Sequence, residues 1–256
     1  MTARLPLFLL WLRRDIKSRY AGSIMGIFWA VLSPLLTISL FYVLFAHIFK
    51  VRVPELASDT GFFYYLLTGI LPWLAMSEGL ARSTGVLAAY EQFLQKQPFP
   101  VAILPTTAVI AALLPQVVGT VVLIFLLATN GLFRPSALLY LPYLLCMQIA
   151  MTLGLGMALS ILALHVRDLL QAVPISLQFV FYATPILYPL NMVPAEYHHL
   201  FVLNPFACLI MGYQHAFLGT STGNLVLLAI PLWGLALGLG GYLLFRVLKP
   251  TLGETL

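Results

Sequence analysis

The chain has 256 residues, of which 61% are apolar types and only 8% are Asp, Glu, Lys or Arg, against about 25% charged in an ordinary soluble domain. Its mean hydropathy is +0.99, and a soluble fold of this size would leave large apolar patches in water, which excludes a soluble enzyme, a nucleic-acid binder and a disordered chain. The net charge of +5 is spread between apolar runs and reads as a membrane topology signal.

Taken in chain order, residues 1–25 come first. On a helical wheel Leu5, Leu9, Leu12, Ile16 and Tyr20 share one narrow sector. Arg13, Arg14 and Lys17 lie beside that sector, and Asp15 faces Arg19 at i, i+4. This pattern predicts an amphipathic helix lying in the membrane interface. It is no signal peptide, because the apolar stretch 5–12 is short and its charges follow it.

A spanning helix needs about 20 mostly apolar residues. Breaking the chain at charges and turn residues predicts six spans, at 26–49, 61–80, 103–129, 136–164, 169–188 and 225–245. Arg4, Arg13, Arg14, Lys17 and Arg19, then Arg82 with Lys96, Arg167, and Arg246 with Lys249 all fall on one side of these spans. Lys50, Arg52 and Arg134 fall on the other. The positive-inside rule then places both termini in the cytoplasm.

Two connections are more than linkers. The segment 81–100 is helical in composition up to Gln97 and is stopped by Pro98 and Pro100, which predicts a short docking helix. The segment 189–224 on the outer side has no Lys or Arg, yet it contains Phe201, Val202, Phe206, Ile210 and Phe217. That is too apolar for an aqueous loop. Pro189, Pro194, Pro205, Gly212 and Gly219 interrupt it too often for a span, so a re-entrant helical hairpin is predicted.

The chemistry is mostly one of omission. No G-x-x-x-x-G-K-[ST] phosphate loop occurs. The acids fall at predicted span ends or in loops, Glu78 being the deepest, with Arg82 one turn on as its partner; none stands alone at mid-membrane as an ion relay would. His198 and His199 are adjacent and read as an outer surface pair. Cys146 lies in an apolar run and reads as a buried free thiol. Phe28, Trp29, Phe62, Phe63, Tyr64, Tyr65 and Trp73 read as an interfacial belt. Phe41, Phe45 and Phe49 form an i, i+4, i+8 stripe joined by Tyr42, while Phe179, Phe181 and Tyr182 sit mid-span; such rings either pack helices or stack on sugar faces. Gly154, Gly156 and Ala158, and Gly234, Gly238 and Gly241, are small residues at helix-contact spacing.

Four motifs occur in order along nearly the whole chain. They are DIKSRYAGSIMGIFWAVLSP at 15–34, LTGILPW at 67–73, VRDL at 166–169, and FYATPILYP at 181–189 followed by MVP at 192–194 and NPF at 204–206. Together they resemble the ABC-2 type permeases that export polysaccharide, O-antigen exporters most and then teichoic-acid and capsule exporters. The resemblance implies one transmembrane domain over 1–256: an interface helix at 1–25, a six-span core at 26–245 with a periplasmic gate at 189–224, and a cytoplasmic tail at 246–256. It implies an all-α protein of the bacterial inner membrane in which a second copy completes the pore. Two separate ABC ATPase subunits would bind ATP and Mg, this chain binding neither.

The implied substrate is a polymer on undecaprenyl diphosphate, moved from cytoplasm to periplasm. Arg13, Arg14, Lys17 and Arg19 would attract its diphosphate or lipid headgroups. Glu91, Gln92, Gln95 and Lys96, with Arg167 and Asp168, would meet the ATPase. Phe41, Tyr42, Phe45, Phe179, Tyr182 and Tyr188 would face the sugar. Two other readings share parts of this pattern. One is an ABC-2 permease for a small drug or lipid, although such permeases often carry a larger external domain. The other is a membrane-embedded enzyme on lipid-linked sugars, which would need a polar catalytic cluster that the sequence does not assemble.

Overall fold

The computed structural model describes residues 4–19, 22–23, 25–53, 56, 60–96 and 99–251. Among the described residues there are helices and no strand. The amphipathic α1 (Arg4–Arg19) leads into α2 (Trp29–Tyr42), which continues as a wider π-type turn to Ile48. Then follow α3 (Gly61–Ala89), the short α4 (Glu91–Lys96), α5 (Ile103–Thr129), α6 (Ser136–His165) and α7 (Leu169–Tyr182). Two 3-10 turns and α8 (Leu200–Leu203) precede α9 (Pro205–Leu218) and α10 (Asn224–Leu248). Tyr20, Gln97, Pro98 and the Arg19 side chain, singled out from sequence, lie outside the described residues.

Three helices, α5, α6 and α10, are long and apolar enough to cross a membrane. The bent pair 195–203 and 205–218, angled at 108°, makes a fourth when counted as one span. The 29-residue α3 would extend about 43 Å at 1.5 Å per residue, but Tyr64, Tyr65, Glu78 and Arg82 dilute its hydropathy. It needs less apolar character because other helices surround it: α5, α6, α7 and α9 all pack against it.

The main apolar core takes in α3, α9 and the facing sides of α5, α6 and α10. A second, smaller cluster closes one end of the bundle, where Leu87, Leu104, Ile161 and Phe245 meet Trp11 of α1. The helices bearing the two chain ends therefore share one end of the molecule. Between α6 and α10 the backbones touch. A Cβ at Gly241 would run into the carbonyl of Gly154, and one at Gly154 into Leu237 and Gly238. Only glycine lets helices approach this closely, so the small-residue spacing does mark a packing seam.

Several expectations need correcting. The fifth predicted span, α7, is helical only to Tyr182, not to residue 188. Pro185 has no N–H and disfavours helix in the residue before it, and Ile186 and Leu187 turn into the core. The second predicted span does not stop at residue 80: α3 runs on unbroken to Ala89 before the chain turns at Tyr90, so the separate short helix is only Glu91–Lys96. Phe62, Tyr64, Tyr65 and Trp73 are buried core residues, not a belt. Cys146 is exposed, on the outward face of α6, and Cys208 is the buried thiol. An apolar run cannot tell a lipid-facing position from a core one, since both favour the same residues. His198 is half-buried, with its Nε2 at 2.8 Å from the Val193 carbonyl and 3.1 Å from that of Leu190.

Candidate functional site

A cavity of about 770 Å³ opens between α2, α3, α5 and α7. Its apolar wall combines the rings of Trp29, Phe41, Trp73, Phe181 and Tyr182 with aliphatic side chains such as Ile70, Leu71, Leu74 and Leu177. Its polar groups are hydroxyls and amides (Ser33, Thr37, Ser77, Gln116, Gln178) and the Glu78 carboxylate. A concave apolar surface with a few placed polar groups is the usual form of a binding site. Flat rings beside uncharged donors and acceptors suit a ligand that has both C–H faces and hydroxyls.

The rings are held from behind. Phe181 packs on Phe41 with centroids 5.5 Å apart, and on Trp73 at 5.6 Å. Gln116 is fixed by a buried amide network. Its Nε2 donates to Gln148 Oε1 (2.9 Å), Gln148 Nε2 donates back to Gln116 Oε1 (2.6 Å), and the Tyr213 hydroxyl donates to Gln148 Oε1 (2.7 Å). Satisfied in this way, buried amides specify one packing; a lost partner would cost about 1–3 kcal/mol.

Beyond α7 the chain dives under the bundle's other end. The Tyr65 hydroxyl donates to the carbonyls of Pro185 (2.8 Å) and Tyr188 (3.0 Å), and Gln214 Nε2 also donates to Pro185 O (2.8 Å). Asn204 caps α9 by accepting from Phe206 N and Ala207 N, while its Nδ2 donates to Thr184 Oγ1 at 3.2 Å. Trp233 Nε1 donates to the Val202 carbonyl at 2.9 Å. This bonding explains how so apolar a connection is tolerated: α9 is the most enclosed helix of the molecule, buried at almost every position.

At the end that carries both chain ends, α1 and α4 are clamped together. Trp11 meets Tyr90, Phe93 and Phe99 with centroids 5.1–5.6 Å apart, and the Arg14 guanidinium lies 4.6 Å from the Trp11 ring and 5.4 Å from that of Tyr90. One turn further along α1, Asp15 Oδ1 accepts from Arg82 Nη2 at 2.5 Å. Arg82 Nη1 lies 3.9 Å from Glu78 of the cavity. Asp15 Oδ2 and Arg82 Nη1 are buried without a hydrogen-bond partner among the described residues.

The residues expected from sequence sort as follows. Of the six rings, Phe41 and Tyr182 line the cavity. Tyr42 instead sits edge-on to Phe63, and Phe45 stacks on Phe62. Phe179 is exposed, and the Tyr188 hydroxyl donates to the Tyr182 carbonyl at 3.0 Å. Arg13, Arg14 and Lys17 are exposed on α1. Gln92, Gln95 and Lys96 point outward from α4 beside the exposed Arg167 and Asp168, and Arg167 lies 4.0 Å from Glu91.

Of the α1 stripe, Leu5 and Leu9 are exposed while Leu12 and Ile16 are half-buried. The sequence reading missed Trp11, on the far side of that wheel, which docks α1 to the protein. The signal was available as a lone Trp among leucines beside Arg14.

A family model of the ABC-2 type transporter matches residues 6–218, from α1 through α9. The chain belongs to the ABC-2 type transporter family. It is 28% identical over 245 residues to the O-antigen export system permease protein RfbA of Klebsiella pneumoniae, covering 95% of this chain and 92% of the relative. The RfbA permease of Myxococcus xanthus is 28% identical over 207 residues, covering 80% and 77%. The polysialic acid transport protein KpsM of Escherichia coli is 22% identical over 193 residues, covering 75% and 73%. As an ABC-2 type transporter the chain has a transport role, not a catalytic one, and it is a multi-pass membrane protein. The cavity and the α1–α4 clamp both lie within the matched region.

Proposed function

We propose that this chain is the transmembrane subunit of an ATP-driven exporter of polysaccharide, carried on undecaprenyl diphosphate and most consistent with lipopolysaccharide O-antigen. The observation that carries the reading is the cavity between α2, α3, α5 and α7, whose five rings suit the C–H faces of a sugar and whose hydroxyls, amides and single carboxylate suit its hydroxyls. Likeness along 95% of the chain to an O-antigen permease supports the same substrate class.

In this reading α2, α3, α5, α6, α7 and α10 are six spans with both termini cytoplasmic, in the bacterial inner membrane. α1 lies in the cytoplasmic interface, with Leu5 and Leu9 in lipid and Arg13, Arg14 and Lys17 toward the diphosphate or headgroups. α8 and α9 form a re-entrant periplasmic gate, allowed because protein covers their backbone. A second copy faces α2 and α7, completing the path for the glycan. The outward side chains of α4, with Arg167 and Asp168, seat two ABC ATPase subunits, which bind ATP and Mg and supply the energy. The whole chain acts as one domain.

The test is co-expression with an ABC ATPase, purification of the complex, and reconstitution in proteoliposomes. Undecaprenyl-diphosphate-linked polysaccharide extracted from the bacterium that carries this chain is the probe. Co-purification of the two subunits, with faster ATP hydrolysis when the probe is present, is expected. A complex that responds equally to unglycosylated undecaprenyl diphosphate would overturn the polysaccharide assignment.

A further inference from the structure

Arg82 stands on α3 between the cavity wall and the seat of α1. Through Nη1 it approaches Glu78, whose carboxylate stands in the cavity wall. Through Nη2 it holds Asp15 of α1. α1 is in turn fixed to the corner before α4 by the Trp11–Tyr90 contact and by Arg14 over both rings. A guanidinium can bind a carboxylate with two parallel N–H groups. Here that fork is shared between two acids from different helices, and Asp15 Oδ2 and Arg82 Nη1 have no hydrogen-bond partner among the described residues. The fork is bonded to Asp15 and only approaches Glu78, at 3.9 Å. Whatever engages Glu78 changes the charge that Arg82 Nη1 faces and so the balance of its hold on Asp15.

We infer that Arg82 is a positioning residue that reports occupancy of the cavity to the ATPase-facing elements, through Glu78 on the cavity side and Asp15 on α1. A hydroxylated ligand that hydrogen-bonds to Glu78 changes the hold of that carboxylate on Arg82. Arg82 then tightens or releases Asp15, and α1 moves with the α3–α4 corner to which Trp11 binds it. The inference rests on the exporter reading for the identity of the ligand; the ion-pair geometry stands independently.

The experiment uses the reconstituted complex with its ABC ATPase and measures ATP hydrolysis with and without the extracted lipid-linked polysaccharide. Arg82→Ala is expected to assemble and to keep basal hydrolysis while losing the stimulation by polysaccharide. The exchange Asp15→Arg with Arg82→Asp restores the pair with reversed charge and is expected to recover stimulation that Arg82→Ala lacks. Glu78→Gln is expected to weaken the response, because the amide carries no charge for Arg82 to follow. Undiminished stimulation in Arg82→Ala overturns the inference, and so does an exchange variant no better than Arg82→Ala. Loss of assembly or of basal hydrolysis in Arg82→Ala also overturns it, since Arg82 would then be a structural brace. A wild-type complex that never responds to the polysaccharide sinks the exporter reading as well, whereas a responding wild type with responding variants sinks only the role of Arg82.

Discussion

The two sides of this bundle are built on different physics. On the α6–α10 side, glycines bring backbones into contact at Gly154 and Gly241, and the Gln116–Gln148–Tyr213 network pins the interior. On the α2–α7 side two 14-residue helices border a wide cavity, with Tyr182 and Phe179 turned outward. Interiors resist deformation where packing is dense, and motion is drawn from regions of few buried contacts. The first side is thus a frame, and the second is a wall that can give way to a passing chain.

The comparison breaks most sharply at the seam. Gly241→Leu forces a side chain into the Gly154 backbone and is expected to cost at least ~3 kcal/mol, read as loss of the monodisperse species on size exclusion in detergent. A well-behaved Gly241→Leu protein would mean the seam is not the rigid element.

Next in size is Gln148→Leu. It strands the Gln116 amide and the Tyr213 hydroxyl, at about 2–3 kcal/mol, and each kcal/mol lowers Tm by about 2–4 °C for a chain of this length. A double-mutant cycle with Tyr213→Phe should show coupling between the two; simple additivity would count against the network. Asn204→Ala removes the α9 cap and the tie to Thr184, with an expected loss of ~1 kcal/mol and a correspondingly smaller fall in Tm. The smallest effect on stability belongs to the loose wall. Tyr182→Ala should change stability by less than ~0.5 kcal/mol while lowering export, so a fall in Tm comparable to that of Asn204→Ala would make Tyr182 a packing residue.

The same contrast explains what could be read from sequence. Helix positions were legible because apolar length and proline breaks follow directly from membrane thickness and backbone chemistry; 103–129 is recovered residue for residue. The α6–α10 seam was visible in its glycine spacing. The environment of each ring was not. Tyr65 and Trp73 look like belt residues and are core, whereas the neighbours Phe181 and Tyr182 touch each other on the cavity wall, one buried and the other exposed. Aromatic identity records size and polarity, and which side of a helix meets protein, lipid or cavity depends on contacts distant in sequence. Arg82 was paired with Glu78 at i, i+4, as local spacing suggests. Its shorter bond to Asp15 spans 67 positions and has no local signature.

The central claim is that the cavity between α2, α3, α5 and α7 admits the polymer. Thr37 lines it without belonging to the buried core, so Thr37→Trp fills the space and removes little packing. The decisive measurement is cell-surface polysaccharide in a strain whose only copy of the permease carries Thr37→Trp, with the membrane level of the protein quantified alongside. The account predicts normal protein and lost surface polysaccharide. Wild-type surface polysaccharide would contradict it.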